Sequence, residues 1–216
     1  MAPKVIVYSD YICPFCFIGK ERVDRLEEKF EIEVEWKGFE IHPETPPDGS
    51  DLASLGFDEA RVAAITSQVR NLSDDAGLKL NLPSRISNSR LALQIAEFAK
   101  EKGKFKEYHE AVFRAYWQEG KDIGHREQLF TLAVQVGLDL EELESYLESG
   151  RAADKLSQHL QEVRDYGISG VPTFVIGDKM IVGAQPYEVL KKVLNEELSN
   201  NSGKGKQPHR LGGTSE

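Results

Sequence analysis

The sequence predicts an α/β fold in which an opening β-α-β unit and a closing β-β-α unit are separated by a long all-helical stretch. Three observations carry this reading. A β-branched and aromatic run, Val5-Ile6-Val7-Tyr8, is followed first by helical and then by alternating spacing of apolar residues. Six segments of helical spacing, each closed by a glycine, come next. Near the end, two short β-branched runs flank Gly177-Asp178.

In order, Val5 to Tyr8 has the composition of a buried strand and ends in Ser9-Asp10-Tyr11. From 14 to 30, Phe17, Ile18, Val23, Leu26 and Phe30 approximate one helix face. Residues 31–39 alternate through Ile32, Val34 and Trp36, so a second strand parallel to the first is expected. The stretch 40–49 carries Pro43, Pro46 and Pro47, which neither a helix nor a central strand tolerates. Helices are expected over 58–76, 89–102, 104–119, 125–136, 140–150 and 152–166, stopped by Gly77, Gly103, Gly120, Gly137, Gly150 and Gly167. Thr173 to Ile176 and Met180 to Val182 read as a hairpin. Pro186 then opens a last helix with Tyr187, Val189, Leu190, Val193, Leu194 and Leu198 on its apolar face. The polar tail 200–216 has little to bury and is expected to be disordered. The division is therefore 1–48 and 151–199 for the two parts of a sheet-bearing domain, with 49–150 as a helical insertion.

A net charge of −9 argues against a surface built for nucleic acid or an anionic membrane, and neither is expected as a partner. No basic leader and no run of about 18 apolar residues is present, so a cytoplasmic protein is expected, although a removed leader would leave no trace. The chain has two cysteines, Cys13 and Cys16, and their proximity rules out a disulfide scaffold between distant elements.

Cys13 directly precedes Pro14, which is preset for the first helical turn, so Cys13 is expected at the helix N-cap. There its sulfur meets unpaired backbone N–H groups and the positive end of the helix, both of which favour a thiolate. Cys16, one turn on, can close a disulfide locally. The competing readings are two buried small hydrophobes, or a zinc half-site. The second lacks another cysteine pair, and His42, His109, His125, His159 and His209 show no ligand spacing, so no metal is expected. A second feature is Pro172, which opens a strand expected to be central. Either a cis Val171-Pro172 bond or a trans proline at a strand start accommodates it.

Ser9-Asp10-Tyr11-Ile12-Cys13-Pro14-Phe15-Cys16 together with Gly170-Val171-Pro172-Thr173-Phe174 resembles the DsbA-like, FrnE-type branch of the thioredoxin superfamily, over about residues 4–198. The resemblance implies a thioredoxin-like fold carrying a large all-helical insertion domain, and a thiol-disulfide oxidoreductase with Cys13 and Cys16 as its redox pair. It further implies a cis Pro172 beside the Cys13 sulfur, and substrate docking along the Val171 backbone with Pro14 and Phe15 on the rim. Strongly oxidising members carry histidine where this chain has Phe15, so a less oxidising pair is expected here. Expected substrates are protein or low-molecular-weight disulfides and thiols, with no bound cofactor and glutathione as a candidate co-substrate. The motif does not choose among them, nor does it specify direction or oligomeric state.

More distantly, the layout is similar to kappa-class glutathione transferases and 2-hydroxychromene-2-carboxylate isomerases. Those relatives usually carry serine in place of Cys13 and a Ser-Asp pair where this chain reads Gly183-Ala184-Gln185-Pro186. A glutathione-dependent transferase or isomerase is thus one alternative. A non-enzymatic holdase using apolar surface around Phe15 and Phe17 is another. Two accessory candidates complete the set. His42 follows the second strand, which ends on the same sheet edge as the first, and competes with a solvated loop reading. Asp10 could modulate the thiols by charge or simply cap the turn.

Overall fold

The computed structural model describes residues 2–203. In chain order the elements are β1 (Lys4–Ser9), α1 (Pro14–Glu27), β2 (Glu33–Gly38), β3 (Ser50–Asp51), a 3-10 turn (Leu52–Leu55) and α2 (Glu59–Asp75). There follow β4 (Arg85–Ile86), α3 (Arg90–Glu101), α4 (Phe105–Trp117), α5 (Arg126–Gln135), α6 (Leu140–Glu148) and α7 (Arg151–Asp165). The chain closes with β5 (Thr173–Ile176), β6 (Lys179–Val182) and α8 (Tyr187–Gly203).

The main sheet has the order β2-β1-β5-β6. β1 runs parallel to β2, from Lys4 opposite Glu33 to Ser9 opposite Gly38, and antiparallel to β5, with Val7 opposite Phe174. Burial explains the central place of β1: Val5, Val7 and Tyr8 are fully buried. Its alternation divides the two faces. Val5 and Val7, with Phe174 and Ile176, pack against Val23 and Leu26 of α1 and Leu190 and Leu194 of α8. Ile6 and Tyr8, with Val175, meet Val163 of α7 and Ile168. The Tyr8 hydroxyl donates to Glu162 at 2.8 Å, fastening α7 to this face.

The largest apolar cluster lies outside the sheet. Tyr11, Ile12, Cys13, Cys16 and Phe17 share it with Ile95 and Phe98 of α3, Val112 and Phe113 of α4, Leu129 of α5 and Leu143 of α6. The two cysteines are thus part of the helical core as well as the start of α1.

Three expectations are corrected. A two-residue pair, β3 with β4, and the 3-10 turn at Leu52–Leu55 occupy what reads as plain loop. Ser50 pairs with Ile86 and Asp51 with Arg85, an interaction too short and too distant in sequence to leave a periodic signal. The first helix ends at Glu27, short of Phe30. α8 continues through 200–203, because no proline or glycine stops it before Gly203, so the tail does not begin at 200; residues 204–216 lie outside the described residues.

Leu194 is fully buried between α8 and the sheet, far along the chain from the cysteines. Leu194→Ala is expected to cost about 2–5 kcal/mol in urea unfolding, the range for a buried leucine that leaves a cavity. A cost below about 1 kcal/mol would contradict the packing of α8 on the sheet.

Candidate active site

The end of β1 delivers the chain directly into α1, and the residues between form a tight, buried turn. The Cys13 N–H donates to Asp10 O at 3.2 Å, and the Cys16 N–H to Cys13 O at 3.0 Å. Cys13 is the N-cap of α1 in extended backbone geometry, its side chain makes no capping bond, and Pro14 stands in the first turn. Both cysteines are free thiols. Cys13 is 4% exposed and Cys16 wholly buried, while Pro14 and Phe15 are half-buried beside them.

The second strand pair brings the other half of the site. The Val171-Pro172 bond is cis, and the Cys13 thiol donates to Val171 O at 3.7 Å. Pro172 packs against α1 at Gly19, where a Cβ would lie 3.2 Å from Pro172 Cγ and 3.1 Å from Phe174 Cζ. A glycine at this helical position therefore permits the close approach of the β5 entry to α1. Pro172 O accepts the Gly183 N–H at 2.7 Å, and Thr173 Oγ1 donates to Gly170 O at 2.6 Å.

Cys16 is held differently. Its sulfur accepts the Asp10 N–H at 3.5 Å and shares a hydrogen bond with the Cys13 thiol. Burial pushes the Cys16 thiol well above its ordinary range, and the adjacent Cys13 adds to this; the Ser9 hydroxyl and the Asp10 N–H offset part of it. Asp10 is itself fully buried. Its carboxylate accepts the Ile41 N–H at 2.8 Å and the Ile12 N–H at 3.4 Å, tying the loop after β2 to the turn before α1. Burial raises the Asp10 carboxyl to about 6, against the hydrogen bonds from Ile41, Ser89 and Ile12.

His42 stands one residue beyond that junction, half-buried, with Nδ1 3.0 Å from Glu44 and its ring edge-on to Phe57. The structure thus brings together Cys13, Cys16, Pro14, Phe15, Val171, Pro172 and Asp10, and engages His42 with Glu44 and Phe57 instead. Several residues of the site gave no sequence signal. Trp117 donates its indole N–H to Tyr11 O at 2.8 Å, and the Tyr11 hydroxyl is 3.0 Å from His109 Nδ1. Phe113 meets Tyr11 edge-on and stacks on Phe17. All three partners sit on α4, so their convergence on the turn is purely tertiary. On the other side of α1, buried Arg22 donates to Ala184 O and to Gln185 O, fixing the 183–186 turn to the helix.

A strand that ends in a buried two-thiol turn, with a cis-proline strand against it, is an arrangement of the thioredoxin-type fold. The chain belongs to the DSBA-like thioredoxin domain family, whose model matches residues 4–195. It is 34% identical over 200 residues to the uncharacterised protein YwbO of Bacillus subtilis, covering 91% of this chain and 98% of that one. A probable DsbA oxidoreductase from Streptomyces coelicolor superposes with a TM-score of 0.81 at 27% identity, over 97% of this chain and 93% of the other. A 2-hydroxychromene-2-carboxylate isomerase of Pseudomonas putida is 18% identical over 195 residues, 90% of this chain and 96% of its own. At that identity the likeness extends to the fold.

Asp10 makes stability depend on pH in an unusual sense. Its folded carboxyl titrates near 6 rather than 3.8, so between those values the folded state holds the proton more tightly than the unfolded one. Its contribution is therefore fully present below about pH 4 and is lost as pH rises through about 6, by about 3 kcal/mol. Asp10→Asn removes this dependence. In paired urea titrations the variant is expected to gain on the wild type from pH 4 to pH 7, and a constant difference across that window would contradict the assignment.

Proposed function

We propose that this DsbA-like protein exchanges disulfides through Cys13 and Cys16, with Cys13 as the sulfur that meets substrate. The observation that carries the reading is the asymmetry of the two thiols. Cys13 caps α1 beside the Val171 backbone, with half-buried Pro14 and Phe15 at the rim, whereas Cys16 is sealed one turn below it.

In the reducing direction, the Cys13 thiolate attacks a substrate disulfide, one substrate thiolate leaves, and a mixed disulfide forms. Cys16 then loses its proton and attacks the Cys13 sulfur. The second substrate thiolate departs, and two electrons have passed from the cysteine pair to the substrate. Oxidation runs the same steps in reverse. Val171 O beside the Cys13 sulfur supports docking of an extended substrate segment along that backbone. Protein disulfides and small thiols such as glutathione both fit this scheme as substrates or co-substrates.

The alternative of a glutathione-dependent isomerase or transferase rests on likeness of fold. Here the 183–186 turn has Gly183-Ala184-Gln185-Pro186 rather than Ser-Asp, and two of its carbonyls are occupied by Arg22. A glutathione redox titration with acid quenching, alkylation and mass spectrometry separates the readings. A reversible two-electron transition confined to Cys13 and Cys16 is expected. Thiols that stay free at every poise, or form only the glutathione adduct, would transfer the case to the isomerase reading.

Phe15 bears on the midpoint of that transition. It packs partly against the helical core and offers neither donor nor cation to the reduced sulfur. Phe15→His supplies both and stabilises the reduced form. Its midpoint is expected to move in the oxidising direction by tens of millivolts, since about 30 mV corresponds to 1.4 kcal/mol for a two-electron couple. An unchanged midpoint in that titration would contradict this role for position 15.

A further inference from the structure

Arg22, on α1 beyond Cys16, is the largest fully buried side chain among the described residues. A guanidinium is an unfavourable group for such a place. Burial opposes its charge, Arg25 adds to that, and Asp75 offsets part of it. The Asp75 carboxylate, at the end of α2, lies 3.6 Å from Nη2 but is itself 72% exposed, so solvent screens the pair. Nη2 has no hydrogen-bond acceptor. Such a group persists where its remaining bonds hold something that a hydrocarbon could not.

What Arg22 holds is backbone. Its Nη1 donates to two successive carbonyls, Ala184 O and, at 2.5 Å, Gln185 O. The same turn is bonded to the entry of β5, where the Gly183 N–H donates to Pro172 O at 2.7 Å. Gly183 has φ +84°, in the left-handed region, so the direction of that N–H depends on a backbone that a side chain would strain. Pro172 also rests on α1 at Gly19, one turn before Arg22. Its neighbour Val171 presents its carbonyl to the Cys13 thiol at 3.7 Å. A continuous set of contacts therefore runs from the buried cation, through the 183–186 turn, to the backbone that faces Cys13. An apolar side chain at position 22 could fill the same space but offers no donor to either carbonyl.

We propose that Arg22 is a positioning residue for substrate docking: by holding Ala184 O and Gln185 O it fixes the start of β5 against α1, so that the Val171 backbone is already aligned beside Cys13 when an extended polypeptide disulfide arrives. This deepens the oxidoreductase reading and rests on it. Arg22 touches neither substrate nor sulfur. It orders the docking backbone before binding, which lowers the entropic cost of seating a chain and leaves the reactivity of the Cys13 thiol unchanged. A small disulfide reacts at Cys13 without pairing along Val171, so the effect separates polypeptide substrates from small ones.

The test uses single-turnover reduction, by the pre-reduced full chain, of two substrates: an unstructured peptide dimer joined by one disulfide, and the small aromatic disulfide dithionitrobenzoate. Arg22→Met keeps an unbranched side chain and removes the donors. Gly183→Ala leaves Arg22 in place and strains the turn at its bond to Pro172. Each is expected to raise the half-saturating peptide concentration about tenfold, with the limiting rate within about twofold of wild type and the dithionitrobenzoate rate unchanged. Arg22→Lys, which keeps a charged donor, is expected to recover part of the loss. The double variant is expected to lose no more than the worse of the two single ones, because both cut the same set of contacts. If Arg22→Met does not fold, Gly183→Ala carries the test alone. An unchanged half-saturation, additive losses in the double variant, or peptide and small-disulfide rates that fall together would overturn the positioning role and leave the oxidoreductase reading intact. A wild-type protein that forms no Cys13–Cys16 disulfide with either substrate would overturn that reading and the positioning role with it.

Discussion

The desolvation of one sulfur governs the rest of this structure. Cys16 is placed where water does not reach, which makes its thiolate costly; the Ser9 hydroxyl and the Asp10 N–H offset part of that cost, while Cys13 adds to it. The Asp10 N–H is aimed at the sulfur because the Asp10 side chain pins the turn from above, through Ile41 and Ile12. The buried carboxylate is itself an expense, tolerated because it holds three segments in register where no apolar side chain could. A fold that stored two cysteines merely as small hydrophobes would need none of this.

The helical block is therefore packed into the two-cysteine turn and is not a separate attachment. α4 supplies Trp117, Phe113 and His109, which grip Tyr11 by a hydrogen bond to its carbonyl, an edge-on ring and a bond to its hydroxyl. α3 contributes the Glu97–Lys100 pair, which lines a small cavity with Ser9 and Tyr11, and Lys100 reaches across to Trp36 O at 2.6 Å. On the opposite side the sheet is closed by α8, and Gly19 lets Pro172 settle against α1 within van der Waals reach. The two halves of the site, Cys13 and Val171, lie 158 residues apart in the chain and meet because β5 pairs with β1.

Much of this was legible in the sequence because the signals are local. The strand-to-helix junction at Cys13-Pro14, the glycines that end the helices and the Gly177-Asp178 hairpin each depend on a few neighbouring residues. Pro172 was visible as an anomaly, but its isomer was not, since cis and trans prolines at a strand start look alike in sequence. What escaped was tertiary. Nothing in the spacing of His109 or Trp117 within α4 distinguishes a residue that grips the two-cysteine turn from one that fills a core, and the β3–β4 pair depends on residues more than thirty positions apart. Asp10 was ambiguous for a related reason: an aspartate before a helix usually caps it, whereas this one bonds across to Ile41.

The central claim is that the two thiols have unlike roles, with Cys13 meeting substrate and Cys16 resolving. The most direct measurement is trapping with a disulfide-bonded peptide, using Cys16→Ser and Cys13→Ser in parallel and locating the linkage by mass spectrometry. A stable mixed disulfide through Cys13 in the first variant, and none in the second, is the expected result. Equal trapping through Cys16 when Cys13 is absent would contradict the division of roles on which this description of the site rests.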